Sequence, residues 1–256
     1  MFTNAIVRAP SRTFAEGLTT AGLGRPDLDT TFAQHADYCA ALEQCGLRLT
    51  RLESDDRLPD ATFVEDTAIL TDRVAILTNP GAPSRQGEVA AIRDALMEFY
   101  PSLEAVSAPG TVDGGDVCQA GEQFFIGRSR RTNDAGARQL GDILSRHGYT
   151  STTVDIRDIA PLLHLKSGLT ALDGGRLVLI ETLAGHPAFR GYETIPVAAD
   201  ELYAANCVQV NDRVLVAAGF PRIQEALRDR GYSLLVLDVS EFEKMDGGLS
   251  CLSLRF

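Results

Sequence analysis

Basic residues are scarce in this chain: 24 lysines and arginines stand against 35 aspartates and glutamates, a formal charge of -11 at pH 7. That sign excludes a protein that tracks phosphate backbones, so nucleic acid is not an expected partner. Long apolar runs are missing as well. None approaches the roughly 20 residues of a membrane helix, and the opening MFTNAIVRAPSR has neither the charged start nor the apolar stretch of a secretory signal. A cytoplasmic protein without membrane contact is expected. Cysteine pairs are also lacking: Cys39, Cys45, Cys118, Cys207 and Cys251 are odd in number, scattered, and form no C-x-x-C motif. This excludes a disulfide framework and a structural zinc site, and the five read as free thiols. What remains is 256 residues with 45% hydrophobic content, enough for a substantial core in one large domain or two small ones. Surplus acid keeps such a surface dispersed, and in a cleft it would draw in a cationic small molecule.

The same grammar returns along the chain. FVEDTAILTDRVAILTNPG holds two short β-rich runs around a polar turn and leads into SRQGEVAAIRDALMEFYP, where Val89, Ile92, Leu96 and Phe99 mark one helix face before the strand LEAVSAP. The order strand, strand, helix, strand recurs in GGDVCQAGEQFFIGRSRRTNDAGARQLGDILSRHGYTSTTVDI. There Asn133 or Asp134 caps a helix striped by Ala137, Leu140 and Leu144, and Gly148 ends it. It recurs in ANCVQVNDRVLVAAGFPRIQEALRDRGYSLLVLDV, with Gly231 at the helix end, and more weakly in GLTALDGGRLVLIETLAG, where the helix is poor. First strands begin near Asp66, Asp116, Gly168, Asn206 and Cys251, about 46 residues apart on average. Units of this size bury an apolar face only by stacking on one another. Two readings stand: an open α/β sheet with long hairpins, or a ring. The initial AIVRAP and the final CLSLRF each lack a complete unit and would share one blade in the ring, leaving no free sheet edge.

Polar residues gather where the units start: LPDATFVED (Asp60, Glu65, Asp66), TVDGGD (Asp113, Asp116), LHLKSG (His164), AANC (Asn206, Cys207) and DGGLSC (Cys251). In a closed ring these ends converge on one cleft. Gly247 and Gly248 allow close backbone approach beside Cys251, whose thiolate would be a nucleophile near a base or cation. A lone cysteine is as a rule inert, and a histidine between apolar residues is as a rule a packed core residue, so both assignments stay open on these grounds. If His164 faces the cleft, it is the acid and base for Cys251, with Asp113 orienting its imidazole. His35 and His147 fall on helices and His186 in a loop, where packing or surface roles suffice. Asp60, Glu65 and Asp66 flank Phe63 and Val64, so some point inward, where an unpaired carboxylate is costly and a cationic substrate would satisfy it. No H-x-x-x-H or carboxylate loop supports a metal site.

LPDATFVED, APGTVDGGD, RTNDAGA, LHLKSG, AANC and DGGLSC together, in this order and over the whole length, resemble the dimethylarginine dimethylaminohydrolase family of the guanidino-group-modifying pentein superfamily. The resemblance implies an α/β fold, a five-bladed α/β propeller of ββαβ repeats with pseudo-fivefold symmetry, in a single domain over residues 1–256. It implies Cys251 as nucleophile, His164 as proton donor, and Asp113 at a position filled by Glu or Asp in the family. Asp60, Glu65 and Asp66 match acids that hold the substrate's cationic and amino groups. Arg85 and Arg131 match the pair on the α-carboxylate, with Arg131 favoured over Arg130 by the RTN motif. The carbonyls of Leu18, in the lid-like AEGLTTAGLG, and of Met245 match acceptors for the α-amino group. No metal or other cofactor is implied, the partner is a cationic amino acid, and a homodimer is compatible with the surface.

The implied chemistry is thiolate attack on a guanidinium carbon, protonation of the departing amine by His164, an S-alkylthiouronium intermediate, and its hydrolysis to citrulline. A bound cation can lower the thiol's pKa, so Cys251 is expected to rest largely protonated. Alternatives are a relative acting on arginine or citrulline, a catalytically silent ligand-binding propeller, and a Cys-His peptidase or transferase on another fold. Agmatine lacks the carboxylate that two arginines would grip.

Overall fold

In the computed structural model, residues 1–160 and 162–256 are described. β1 (Asn4–Arg8), α1 (Leu28–Gln44) and β2 (Arg48–Leu52) open the chain. Four units follow: β3 (Ala68–Leu70), β4 (Ala75–Leu77), α2 (Val89–Leu96) and β5 (Leu103–Ala105); β6 (Val117–Ala120), β7 (Gln123–Arg128), α3 (Asp134–Arg146) and β8 (Thr150–Asp155); β9 (Leu169–Leu172), β10 (Arg176–Ile180), α4 (Glu181–Ala184) and β11 (Glu193–Val197); β12 (Val208–Val210), β13 (Arg213–Ala217), α5 (Pro221–Arg228) and β14 (Ser233–Leu237). The short α6 (Ser240–Glu243) and β15 (Leu254–Arg255) end it.

Local chemistry accounts for these elements. Asp27 caps α1 by accepting from the Thr30 amide at 2.8 Å, and Asn133 caps α3 by accepting from the Gly136 amide at 2.8 Å. Gly148 and Gly231, just past α3 and α5, adopt φ of 80° and 85°, which a side chain would resist. The expected poor helix, in the third of these units, is α4, one turn long.

Each unit makes its own three-stranded sheet, with the first strand antiparallel to the second and the second parallel to the third. The fifth such sheet joins the two chain ends: β15 lies antiparallel to β1, which is parallel to β2. This is the ring, and it settles the choice left open by repeat spacing. Its apolar clusters bridge neighbouring units; Ile69, Val74 and Ile76 pack with Phe124, Ile126 and Leu140, while Ile6 and Leu254 pack with Leu77 and Leu96. No sheet has a core of its own, so each depends on the next.

Two expectations change. Cys251 lies not on the terminal strand but on the preceding 3-10 turn, Leu249–Leu252. Phe99 falls beyond α2 and is exposed, where it stacks edge-on against Phe256. The turn before the last strand repeats elsewhere: Val64–Thr67, Gly114–Asp116, Leu165–Ser167 and Ala199–Ala205 each precede the first strand of a unit. These turns pack in sequence around the axis, and the Leu249–Leu252 turn packs on Val64–Thr67. Asn206 closes the circle: its side-chain amide donates to the Lys166 carbonyl at 2.9 Å and its oxygen accepts from the Ser250 amide at 2.9 Å. No described helix is long and apolar enough to cross a membrane.

Phe242 is fully buried, with its ring centroid 5.5 Å from Phe14 and 6.3 Å from Phe63. Phe242→Ala should therefore destabilise the fold by about 3–5 kcal/mol in denaturant unfolding, the usual cost of an aromatic-sized core cavity.

Candidate active site

Three of the ring's turns bring His164, Asp113 and Asp66 together. His164 Nε2 donates to Asp113 Oδ2 at 3.0 Å and lies 4.0 Å from Asp66 Oδ1. Asp113 is held in place by the Gly81 amide, which donates to its Oδ1 at 2.8 Å, and Asp66 Oδ1 accepts from the Gly115 amide at 2.8 Å. The backbone must come this close: a Cβ on Gly115 would stand 2.7 Å from His164 Nδ1 and 2.9 Å from Asp66 Oδ1. Burial pushes the imidazole toward its neutral form, but Asp66, Asp113 and Asp116 outweigh it and hold His164 up at about 9. Burial likewise acts to raise Asp66, yet His164 and Arg85 keep that carboxyl well below the usual range. His164 and Asp66 are thus both charged at neutral pH. Their ligand atoms lie within 4.8 Å of one another, close enough for a divalent ion, but His164 already spends a proton on Asp113.

Cys251 is partly buried on its turn, and its amide donates to the Gly248 carbonyl at 3.1 Å. Desolvation, followed by the charges of Glu65 and Asp66, pushes its thiol up to about 12. Cys251 is therefore a thiol at neutral pH, on the turn that packs against the Asp66 turn. Glu65 stands on the turn beside Asp66. Its carboxylate is committed to Lys166 at 2.6 Å, to the Ser250 hydroxyl at 2.8 Å and to Arg255 at 3.5 Å. It lines a channel of about 770 Å³ that also includes Lys166 and Ser250, but not Cys251, His164 or Asp113.

Arg85 lies beside Asp66. It is 4% exposed; Nε and one Nη2 hydrogen grip Glu88 at 3.0 and 2.8 Å, Nη1 pairs with Asp66, and Nη2 reaches the Phe63 carbonyl at 3.0 Å. Four of its five N–H groups are spent inside the protein, leaving one for an outside carboxylate. Its partner Glu88 is raised by burial to about 7 despite that pairing. Arg131 is partly open, with Nη1 3.5 Å from Asp113 Oδ2, and Arg130 is exposed. Asp60 is buried, and burial raises its carboxyl; its Oδ1 accepts from the Leu18 amide at 3.0 Å. Leu18 itself is exposed, in a stretch latched by Thr19 to the Lys244 carbonyl at 2.8 Å and by Thr20 to Asp246. Met245 is buried beside that latch. Under the stretch lies a cavity of about 240 Å³ lined by Ala21, Leu23, Leu163, Asn206, Asp246 and Gly248 among others.

Sequence reading gave no role to Glu88, Lys166 or Ser250. Glu88 stands three residues after Arg85 on a helical turn, the spacing of an ion pair, and was legible in PSRQGE. Lys166 and Ser250 adjoin named residues, but only the fold shows which carboxylate they meet.

A ring of five ββαβ units, with its reactive side chains on the turns around the axis, defines the pentein class of guanidino-group-modifying enzymes. No family model matches the chain. Over its entire length, however, it is 43% identical to the N(G),N(G)-dimethylarginine dimethylaminohydrolase of Pseudomonas aeruginosa, covering 100% of both chains. The enzyme of the same name from Streptomyces coelicolor is 36% identical over 98% of this chain and 96% of its own. A solved structure of the Pseudomonas aeruginosa enzyme, a cysteine-to-serine mutant complexed with citrulline, superimposes with a TM-score of 0.97 over 100% of each chain at 43% identity. The chain belongs to the dimethylarginine dimethylaminohydrolase family.

Gly115→Ala should cut turnover by roughly a hundredfold, because its methyl group displaces the His164 ring that must sit within hydrogen-bond reach; steady-state kinetics on the folded variant checks this. The pH dependence of stability has a definite sign. His164 is raised from 6.5 to about 9, so its stabilisation is fully present below about pH 6.5 and is lost as pH rises through about 9. Thermal unfolding at pH 6.5 and 9.5 should show a fall in Tm that shrinks in His164→Asn.

Proposed function

We propose that the chain hydrolyses N-ω-methylated arginines to citrulline and dimethylamine or methylamine, with Cys251 as nucleophile, His164 as proton donor and acceptor, and Asp113 as the group that orients the imidazole. One observation carries the assignment of roles: His164 is fixed between Asp113 and Asp66 on turns that ring the same axis as the turn of Cys251. A guanidinium spreads its charge over three nitrogens and is a poor electrophile. Carboxylates on the nitrogens, with Asp66 foremost, favour charge on carbon and offset the cost of burying the cation.

The bound cation lowers the thiol's pKa, and the Cys251 proton passes to solvent as thiolate forms. Sulfur attacks the guanidinium carbon. The C–N bond to the methylated nitrogen breaks as His164 delivers its proton, releasing the amine and leaving an S-alkylthiouronium. With Nε2 held by Asp113, Nδ1 is the nitrogen that exchanges this proton. Neutral His164 then takes a proton from water, whose oxygen attacks the same carbon; the C–S bond breaks, and citrulline leaves.

Arg131, with the remaining donor of Arg85, receives the α-carboxylate, while the Leu18 and Met245 carbonyls receive the α-amino group beneath the latched stretch. Asp60 supports this end by holding the Leu18 amide. Glu65, paired with Lys166, and its neighbour Asp66 supply the acids for the substrate's cationic end. The proposal includes a single domain over residues 1–256 and a cytoplasmic location, supported by five unpaired cysteines.

Pure protein incubated with asymmetric dimethylarginine, monomethylarginine, arginine and citrulline should release dimethylamine and methylamine from the first two, at least tenfold faster than ammonia from arginine. Cys251→Ser should reduce release to background. Ammonia release from arginine exceeding amine release would reassign the substrate while leaving the roles in place.

A further inference from the structure

Asp116 is a fully buried carboxylate that the steps above do not use. Its Oδ1 accepts from the Leu165 amide, the peptide next to His164, at 3.0 Å. Its Oδ2 accepts from the Ser129 hydroxyl at 2.6 Å. That hydroxyl accepts in turn from the amides of Arg131 at 2.9 Å and Thr132 at 3.1 Å. With one donor and two lone pairs, the hydroxyl is saturated. Thr132 completes the loop, its own hydroxyl accepting from the Asp113 amide at 3.1 Å. The neighbouring strand leaves room for this: a Cβ on Gly127 would stand 2.9 Å from Asp116 Oδ1 and 2.8 Å from Leu165 Cβ. One carboxylate thus ties together the segments that carry Asp113, Arg131 and His164.

Among the described residues no lysine or arginine pairs with Asp116. Its hydrogen-bond partners are neutral, and burial raises it to about 6 while the charge of His164, then the Ser129 and Thr132 hydroxyls, pull it down. A buried anion whose donors are all neutral is costly, and the charge of His164 is what offsets that cost.

We infer that Asp116 is a positioning residue for the reaction, setting the placement and charge of His164 on one side and the Arg131 turn on the other. The inference rests on the roles proposed for His164 and Arg131. The charged groups facing His164 are Asp66 from the Val64–Thr67 turn, and Asp113 and Asp116 from either end of their own turn. Behind these stand Arg85 on Asp66 and Arg131 on Asp113, with Cys251 on the turn packed against Val64–Thr67. Asp116→Asn keeps the shape and an acceptor for Leu165 while removing the charge.

The test is the pH profile of amine release from asymmetric dimethylarginine, joined to histidine-labelled NMR titration of His164, its resonance assigned by loss in His164→Asn. In Asp116→Asn the basic limb of kcat and the His164 midpoint should both move to lower pH. At neutral pH kcat should fall at least about tenfold, with KM changed less than about threefold. An unchanged midpoint and limb, even with a lowered Tm, would overturn the inference by reducing Asp116 to a structural hub. If Asp116→Asn does not fold, Ser129→Ala is the second variant: KM should rise as the Arg131 turn loosens, and the limb should move the same way. Neither changing would be equally fatal. Should the wild type release no amine from any methylated arginine, the proposed function fails, while the NMR midpoint still reports on the link between Asp116 and His164.

Discussion

An imidazolium held at the axis of a protein ring by carboxylates from two separate turns is the interaction on which the rest of this structure depends. Each partner alone would be unfavourable where it lies. A buried cation loses its hydration, and so does each buried carboxylate; together they offset that loss through short charge-assisted contacts. The balance ties the position of His164 to two turns at once, Asp66 on one side and Asp113 and Asp116 on the other. The same charges work against Cys251. Burial first, then the charges of Glu65 and Asp66, keep the thiol protonated, so nucleophile and acid rest in the proton states that suit the arrival of a cation and the departure of an amine.

The ring explains how so many acids come to share one place. The turns before the first strands pack one on the next around the axis, and they meet there because the sheets are not buried singly. Closure by β15 against β1 brings the Cys251 turn onto the Val64–Thr67 turn, joining residues from opposite ends of the chain. Asn206 then pins the Cys251 turn to the turn after His164. Stability and chemistry therefore draw on the same contacts. The exception is the channel on the far side, where Glu65, Lys166 and Arg255 form a separate charged plug.

Much of this was legible in the residues because it is local or periodic. Strand pairs around polar turns, the Asn133 cap, Gly148 and Gly231 at helix ends, and the incomplete terminal units all report short-range physics, and the ring follows from their repetition. What the sequence hid is direction. Arg85 and Glu65 both have partners within the protein that spacing did not show in full. Arg85 is taken by Glu88 one helical turn on, and Glu65 by a lysine from another unit. Which way a turn residue points is decided by partners a hundred residues away, and no spacing rule conveys that. Asp116 was visible as one of two acids in TVDGGD, but its neutral partners Ser129 and Leu165 carry no sequence signal.

The central claim is that the carboxylates hold the resting site as imidazolium and thiol, and that a guanidinium ligand tips the thiol into thiolate. Ultraviolet thiolate absorbance of the wild type, corrected with Cys251→Ser and titrated with and without a non-reacting cationic amidine, measures this directly. Without ligand no thiolate signal should form at neutral pH and its midpoint should lie well above the ordinary thiol range; with ligand the midpoint should move down by more than one unit. A full thiolate signal at pH 7 in the free enzyme, or a midpoint indifferent to the ligand, would contradict the account.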